Sequence, residues 1–182
     1  MRGHFISPNH MNELYTYTVP VFVKHLGGLR NILEKSKAHL AQTNGDEKAL
    51  LADQLYPDMF PLTKQVQIAC DNAKGCTARL SGTENPKMED TEQTLDELIA
   101  RIDKTLAFVK SVPEASFAGA ADRKVSLPYF EGTYFTGFDY AREYAIPNFF
   151  FHTVTAYDLI RKNGVPIGKA DYMNGLSLKP LA

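Results

Sequence analysis

His152 places an imidazole in the middle of an apolar helical stripe made by Phe138, Ala145, Phe149, Ala156 and Ile160. A histidine in such a stripe either donates one ring N–H to a neighbouring backbone or amide oxygen as a core residue, or offers a nitrogen to a ligand or a metal ion. Asn148 lies one turn earlier on the flank of the same stripe and reaches the same space, so the pair can orient a small polar ligand or satisfy each other. Gln65 and Asn72, seven residues apart in an earlier helical segment, stack on one side of it two turns apart. Amides at a seam edge serve as interhelical hydrogen-bond partners, and here they are also candidate ligand contacts. His25 flanks a third apolar seam, either as a boundary histidine or as a contact at the same end of the molecule. These five residues are the candidate ligand-binding set.

Other chemistries leave no trace. There is no phosphate-cradling glycine loop, no Ser-His-Asp order, no His-Glu zinc motif and no close acidic pair on a shared face. Cys76 falls on a core stripe, where cysteine behaves as a small hydrophobe. Cys70 and Cys76 are separated by more than a helical turn, which makes a mutual disulfide geometrically poor and points to reduced thiols in the cytoplasm. Lysine and arginine number 20 against 21 acidic residues, so no field exists to draw nucleic acid or an anionic membrane surface. Asp96 and Glu97 near Arg101 read as a solvated helix face. No run approaches the roughly 18 apolar residues of a membrane span, and the N-terminus lacks the apolar stretch of a secretory signal.

The elements that must hold the candidate set are helical. Thr18 before Val19-Pro20 reads as an N-cap followed by a proline in the first turn. Phe22, Leu26, Leu29, Leu33 and Leu40, with small Ser36 between them, then recur at steps of three and four as far as a stop at Asn44-Gly45. Pro61 opens a second helix with the stripe Leu62, Val66, Ala69, Ala73, Cys76 and Leu80, closed by Ser81-Gly82. Asp90 and Gln93 have capping-box spacing ahead of a third stripe, Leu95, Leu98, Ile102, Leu106 and Val109, which ends at Val112-Pro113. Lys124 to Tyr129 and Thr133 to Phe135 flank Glu131-Gly132 as a short hairpin would. Thr136 and Asp139 cap a fourth helix that contains Pro147, predicting a kink, and that stops at Asn163-Gly164. The aromatic residues of this last helix, Tyr140, Tyr144, Phe149 to Phe151 and Tyr157, go all round it. Either the hairpin covers its second side or the helix contributes to a dimer interface.

The segments YTVPVF, DMFPLTKQVQIACDNAKG, FTGFDY and PNFFFHTVTAYDLIRKNGVPIGK, in that order, resemble the DUF1993 family of unknown function over about Met11 to Tyr172. That family is in turn similar to the DinB and YfiT-like four-helix bundles. Members of that superfamily often hold a divalent metal with one histidine from the second helix and two from the last, are often dimers, and in some cases use thiol cofactors. The superfamily's ending, a histidine followed nine residues later by arginine and then by glycine, is met by His152, Arg161 and Gly164. The second histidine position of that helix is Asn148. From Pro61 to Leu80 the only nearby polar candidates are Gln65, Asp71 and Asn72, and Asp71 falls about 180° from the apolar stripe, toward water. Neutral amide oxygens are poor ligands for Zn²⁺ or Ni²⁺.

The chain is therefore expected to be an all-α four-helix bundle with a short β-hairpin insertion before the last helix. Residues 11–182 form one domain behind an extension, residues 1–10, that is disordered or foreign to the fold. At 182 residues a single core can bury about 70% of the unfolded surface. The expected function is binding of a small molecule near His152 without a complete metal triad and with no cofactor, His152 being the one weak candidate for a divalent ion such as Zn or Ni. A metal- or thiol-dependent transferase or hydrolase and a dimeric structural or interaction protein are the alternatives, and whether the chain is an enzyme stays open. The expected setting is a cytoplasmic homodimer with neither nucleic acid nor membrane as partner.

Overall fold

A computed structural model describes residues 10–181 of the chain. Helix α1 spans His10–Thr43 and α2 spans Glu47–Ala52; α3 is Leu62–Ser81 and α4 is Leu95–Ser111. Two single 3₁₀ turns follow, and then strands β1 (Lys124–Val125) and β2 (Phe135–Thr136) pair antiparallel. The last long helix is composite: α5 (Gly137–Asp139), a π-helical stretch over Tyr140–Ala145, and α6 (Ile146–Lys162). A short α7 (Lys169–Met173) closes the chain. The expected extension is outside the described residues but for His10, which begins α1.

The apolar stripes build the bundle. Phe22, Leu26, Leu33, Leu62, Val66, Ala73, Leu98, Ile102, Phe149 and Ile160 are all fully buried in one continuous core. Helices α1 and α3 form the inner pair, packing on each other and each on both α4 and α6. Arg30 pairs with Asp103 and Lys37 with Asp96, seven residues up α1 for seven down α4, so these two helices run antiparallel. Phe22 meets Phe149 edge-on at 4.8 Å and joins α1 to α6 through the core. Among the described residues no helix is long and apolar enough to cross a membrane.

Several local expectations are corrected. Helix α1 does not start at Thr18; it starts at His10 and carries Pro20 inside it, while the buried Thr18 hydroxyl bonds the Leu14 carbonyl instead of capping. The cap of α4 is not Asp90 with Gln93 but Thr94 with Glu97. The Thr94 hydroxyl accepts from the Glu97 amide at 3.2 Å, and the Glu97 carboxylate accepts from the Thr94 amide at 3.0 Å. The hairpin keeps only two residues per strand, since Phe130 and Thr133 already turn back by local backbone bonds between the strands.

Pro147 is accommodated by the π-helical stretch before it, where the Ile146 amide reaches back five residues to the Ala141 carbonyl. The wider turn shifts the phase of the stripe, so Tyr140 and Ala141 are buried and Phe138, expected in the core, is 45% exposed. Gly137 must lack a side chain, because a Cβ there would stand 1.8 Å from the Ala120 carbonyl oxygen.

Candidate functional site

Helix α3 presents the row Gln65, Asn72 and Arg79 at seven-residue spacing, and the composite last helix presents Tyr140, Tyr144, Asn148 and His152 at four-residue spacing. The two rows run antiparallel and are tied at both ends. At one end His152 Nδ1 lies 2.6 Å from Gln65 Oε1; at the other Arg79 Nη1 donates to the Tyr140 hydroxyl at 3.2 Å. Between them is a cavity of about 520 Å³ lined by both rows apart from Gln65, and covered from the hairpin by Leu127 and Tyr129. Phe130 stacks edge-on against Phe135 and Tyr144, so the hairpin covers one side of the aromatic helix.

The proton on His152 is placed by its neighbours. Gln65 spends its amide nitrogen on the Phe60 carbonyl at 2.8 Å, which turns its oxygen toward the imidazole and requires Nδ1 to be the donor. Burial lowers the His152 pKa to about 4, so the ring is neutral near pH 7 and the unshared pair resides on Nε2. Asn72 is 8% exposed, and among the described residues neither its amide nor that of Asn148 makes a hydrogen bond to protein. The cavity thus holds two free amides and a neutral imidazole of fixed tautomer.

The sequence-derived set is brought together in part. His152, Asn148 and Asn72 line one cavity, and Gln65 stands behind His152 as its orienting partner. His25 does not join them. It lies on the other side of the last helix, 4.9 Å from the ring of Phe150 and 5.2 Å from that of Tyr172, beside an apolar groove. The reason is rotational: α1 meets the face of α6 that carries Phe149 and Phe150, whereas the cavity opens on the face toward α3.

The charged residues need two corrections. Arg101 is not part of a solvated face: its side chain is 1% exposed and meets Asp71 at 3.0 Å, Asp90 at 2.9 Å and Glu92 at 3.0 Å, while Asp96 pairs with Lys37 on α1. Asp71, expected to face water, is partly exposed but stands at the cavity edge, drawn there by Arg101 and by Lys74 at 3.4 Å. Burial pushes the Asp90 carboxyl up, but the Lys64 hydrogen bond and the Arg101 charge outweigh it and hold the group below the usual carboxylate range. For Glu92, burial is likewise outweighed by hydrogen bonds from Arg101 and Gln67.

A divalent ion is not well served by this donor set. His152 Nε2 has no second imidazole or thiolate beside it, and the Asp71 carboxylate is engaged by two cations. Among the described residues no group of three or more His, Cys, Asp or Glu could hold a metal ion. Cys70 and Cys76 are free thiols in the core, and burial pushes both up, Cys70 to about 12, so neither supplies a thiolate.

Sequence reasoning missed Arg79, Tyr140 and Tyr144. The signal for Arg79 was the continuation of the Gln65–Asn72 row by one more heptad. The two tyrosines continue the four-residue row back from His152 and Asn148, and the π-helical stretch keeps them on it.

No curated protein sequence matches the chain. The crystal structure of a DinB family member protein from Shewanella denitrificans is similar throughout, with 42% identity and a TM-score of 0.91 over 95% of this chain and 98% of that one. The family model described as a domain of unknown function, DUF1993, matches residues 14–173. With nearly the whole bundle, the hairpin and both cavity rows inside the matched residues, the chain belongs to the DUF1993 family of DinB-like proteins.

Proposed function

We propose that this protein binds a small organic molecule in the cavity between α3 and the composite last helix. The observation that carries this reading is Asn72: a side chain buried to more than nine-tenths whose amide opens on the cavity and, among the described residues, has no protein partner, so its donor and acceptor are both left for a molecule in the cavity. Asn148 and the neutral His152 add two more polar groups converging on the same space, and the aromatic and aliphatic wall supplies apolar contact. The volume of about 520 Å³ falls within the range of about 300–1,000 Å³ usual for ligand pockets. Against metal-dependent chemistry, the alternative that the superfamily suggests, speaks the donor set: among the described residues no group of three or more His, Cys, Asp or Glu could hold a metal ion. The free buried thiols fit a cytoplasmic setting.

The test is a small-molecule fragment screen by ligand-observed NMR on the wild-type protein and on Asn148→Phe, which fills the cavity from its wall. Hits that bind wild type and vanish in a folded Asn148→Phe support the reading; hits indifferent to the substitution overturn it. Thermal-shift measurements with Zn²⁺, Ni²⁺ and Mn²⁺ on the same samples address the metal alternative, and a metal-dependent rise that is lost in His152→Ala would restore it.

A second reading, a homodimer, is favoured by the apolar groove between α1 and the last helix, where Tyr17 and Phe138 are 65% and 45% exposed beside Ile146 and Phe150. A second copy of the chain is the proposed occupant of that face, and sedimentation velocity checks it.

A further inference from the structure

The charges around the cavity balance except at one residue. Lys64 pairs with Asp90 at 2.5 Å, and the buried Arg101 takes up Asp90, Asp71 and Glu92, with Lys74 adding a second cation to Asp71. Three cations thus meet three carboxylates. Arg79 stands outside this set: it is half-buried on the cavity wall, and among the described residues it makes no ion pair. Among the described residues its side-chain hydrogen bond and its ring contact are both with Tyr140, the phenol oxygen at 3.2 Å from Nη1 and the ring centroid at 5.9 Å from the guanidinium carbon. Burial pushes the Tyr140 phenol up, so the group is neutral and cannot serve as a counter-ion. Its oxygen accepts from Arg79, and among the described residues its own O–H is given to no acceptor.

The guanidinium is also held in place. A Cβ built on Gly75, one turn back along α3, would stand 2.3 Å from Nη1, 3.4 Å from the guanidinium carbon and 3.7 Å from Nη2 of Arg79. The three nearest atoms all belong to that one side chain, so the missing side chain of Gly75 is the seat in which the guanidinium rests. Glycine in the middle of a helix is unfavourable relative to alanine, and the close approach of a cation gives this glycine a use.

We infer that Arg79, seated on Gly75 and joined by the Tyr140 hydroxyl, forms an oxyanion subsite that receives the carboxylate or phosphate group of the ligand held in the His152 cavity. The inference rests on the small-molecule reading above and adds the charge and shape of the ligand. A planar guanidinium with free N–H groups and an adjacent phenolic donor match two oxygens of one anion, which would supply the counter-charge that the protein withholds. From Gly75 to Gln65 ten residues of α3 rise about 15 Å, so a ligand reaching from the subsite to His152 is elongated. It carries its anion at one end, a donor for the imidazole at the other, and an apolar body against Leu127, Tyr129 and Tyr144.

The experiment uses arylalkyl carboxylates of two to six methylenes, their matched primary amides and their matched phosphate monoesters, with affinities by isothermal titration and ligand-observed NMR. Wild type is expected to prefer an acid or a phosphate over the amide by about tenfold, the size of one charge-assisted contact, and the preferred anion identifies the ligand class. Arg79→Gln is expected to abolish the preference. Gly75→Ala is expected to reduce it while the Tm does not fall, because alanine favours the helix and only the guanidinium must move. Arg142→Gln, an exposed arginine outside the cavity, is the control that leaves the preference intact. Equal affinity for acids and amides, or a preference that survives Arg79→Gln, overturns the oxyanion subsite and leaves the cavity reading standing; no binding by any of the three series overturns both.

Discussion

At the scale of the residue, His152 is a neutral imidazole because it is buried away from water. Burial lowers its pKa from 6.5 to about 4, and Gln65 fixes its tautomer. The unfolded chain therefore takes up a proton before the folded one does. The stability that the neutral ring contributes is complete above pH 6.5 and falls as pH drops toward 4, by about 3 kcal/mol in all. His152→Gln removes one of two histidines whose pKa burial lowers, so urea denaturation between pH 7 and 4 is expected to show a falling midpoint for wild type and a shallower fall for the variant, in which His25 still contributes. The position of this histidine in the stripe was legible from its neighbours alone, as was its reach to Asn148. Its partner was legible only as a candidate, because the amide that meets it comes from a helix 87 positions away in the chain.

At the scale of the element, the connection between α3 and α4 is held by buried cations, Lys74 at the Pro86 carbonyl and, with the most partners, Arg101. Arg101 from α4 gathers Asp71 of α3 and Asp90 and Glu92 of the connection, and donates to the Glu89 carbonyl at 3.0 Å. Removing it leaves Glu92 without a cation and Asp71 and Asp90 with only their lysine partners. Arg101→Met is expected to cost about 2 kcal/mol at pH 7, below the range for a fully buried pair because Asp71 and Asp90 are each more than a third exposed and screened by water. Asp90 and Glu92 are held below the usual carboxylate range, so the wild type keeps this stabilisation above that range and loses it as pH falls through their lowered values. The gap between variant and wild type in chemical denaturation should accordingly narrow below about pH 4. Sequence patterning placed Arg101 on a solvated face because Asp96 and Glu97 lie five and four residues before it. Those two carboxylates are taken by Lys37 and by the helix cap, and the guanidinium turns inward to a loop that periodicity cannot place. α4's cap shows a similar limit: the spacing of Asp90 and Gln93 pointed to a start four residues early, and the cap is Thr94, directly before the first stripe residue Leu95.

At the scale of the whole molecule, one core runs through all four long helices, and Phe149 is its junction between α1 and α6. It is fully buried, as is its partner Phe22. Phe149→Ala is expected to cost about 3–5 kcal/mol and to lower the midpoint of a single urea transition without changing its slope, since the bundle unfolds as one unit. The sequence by itself determined the four stripes, most of their stops, the hairpin's place before the last helix and the polar residues Gln65, Asn72, Asn148 and His152, because helical period and turn chemistry are local properties. Tertiary structure alone decided which of those residues share a space. It set His25 on the opposite face of the last helix, turned Arg101 inward, and used the π-helical stretch before Pro147 to bring Tyr140 and Tyr144 into line with His152. Each of these depends on how one helix is rotated against another, a phase that a repeat of three and four leaves free and that close packing against a distant segment fixes.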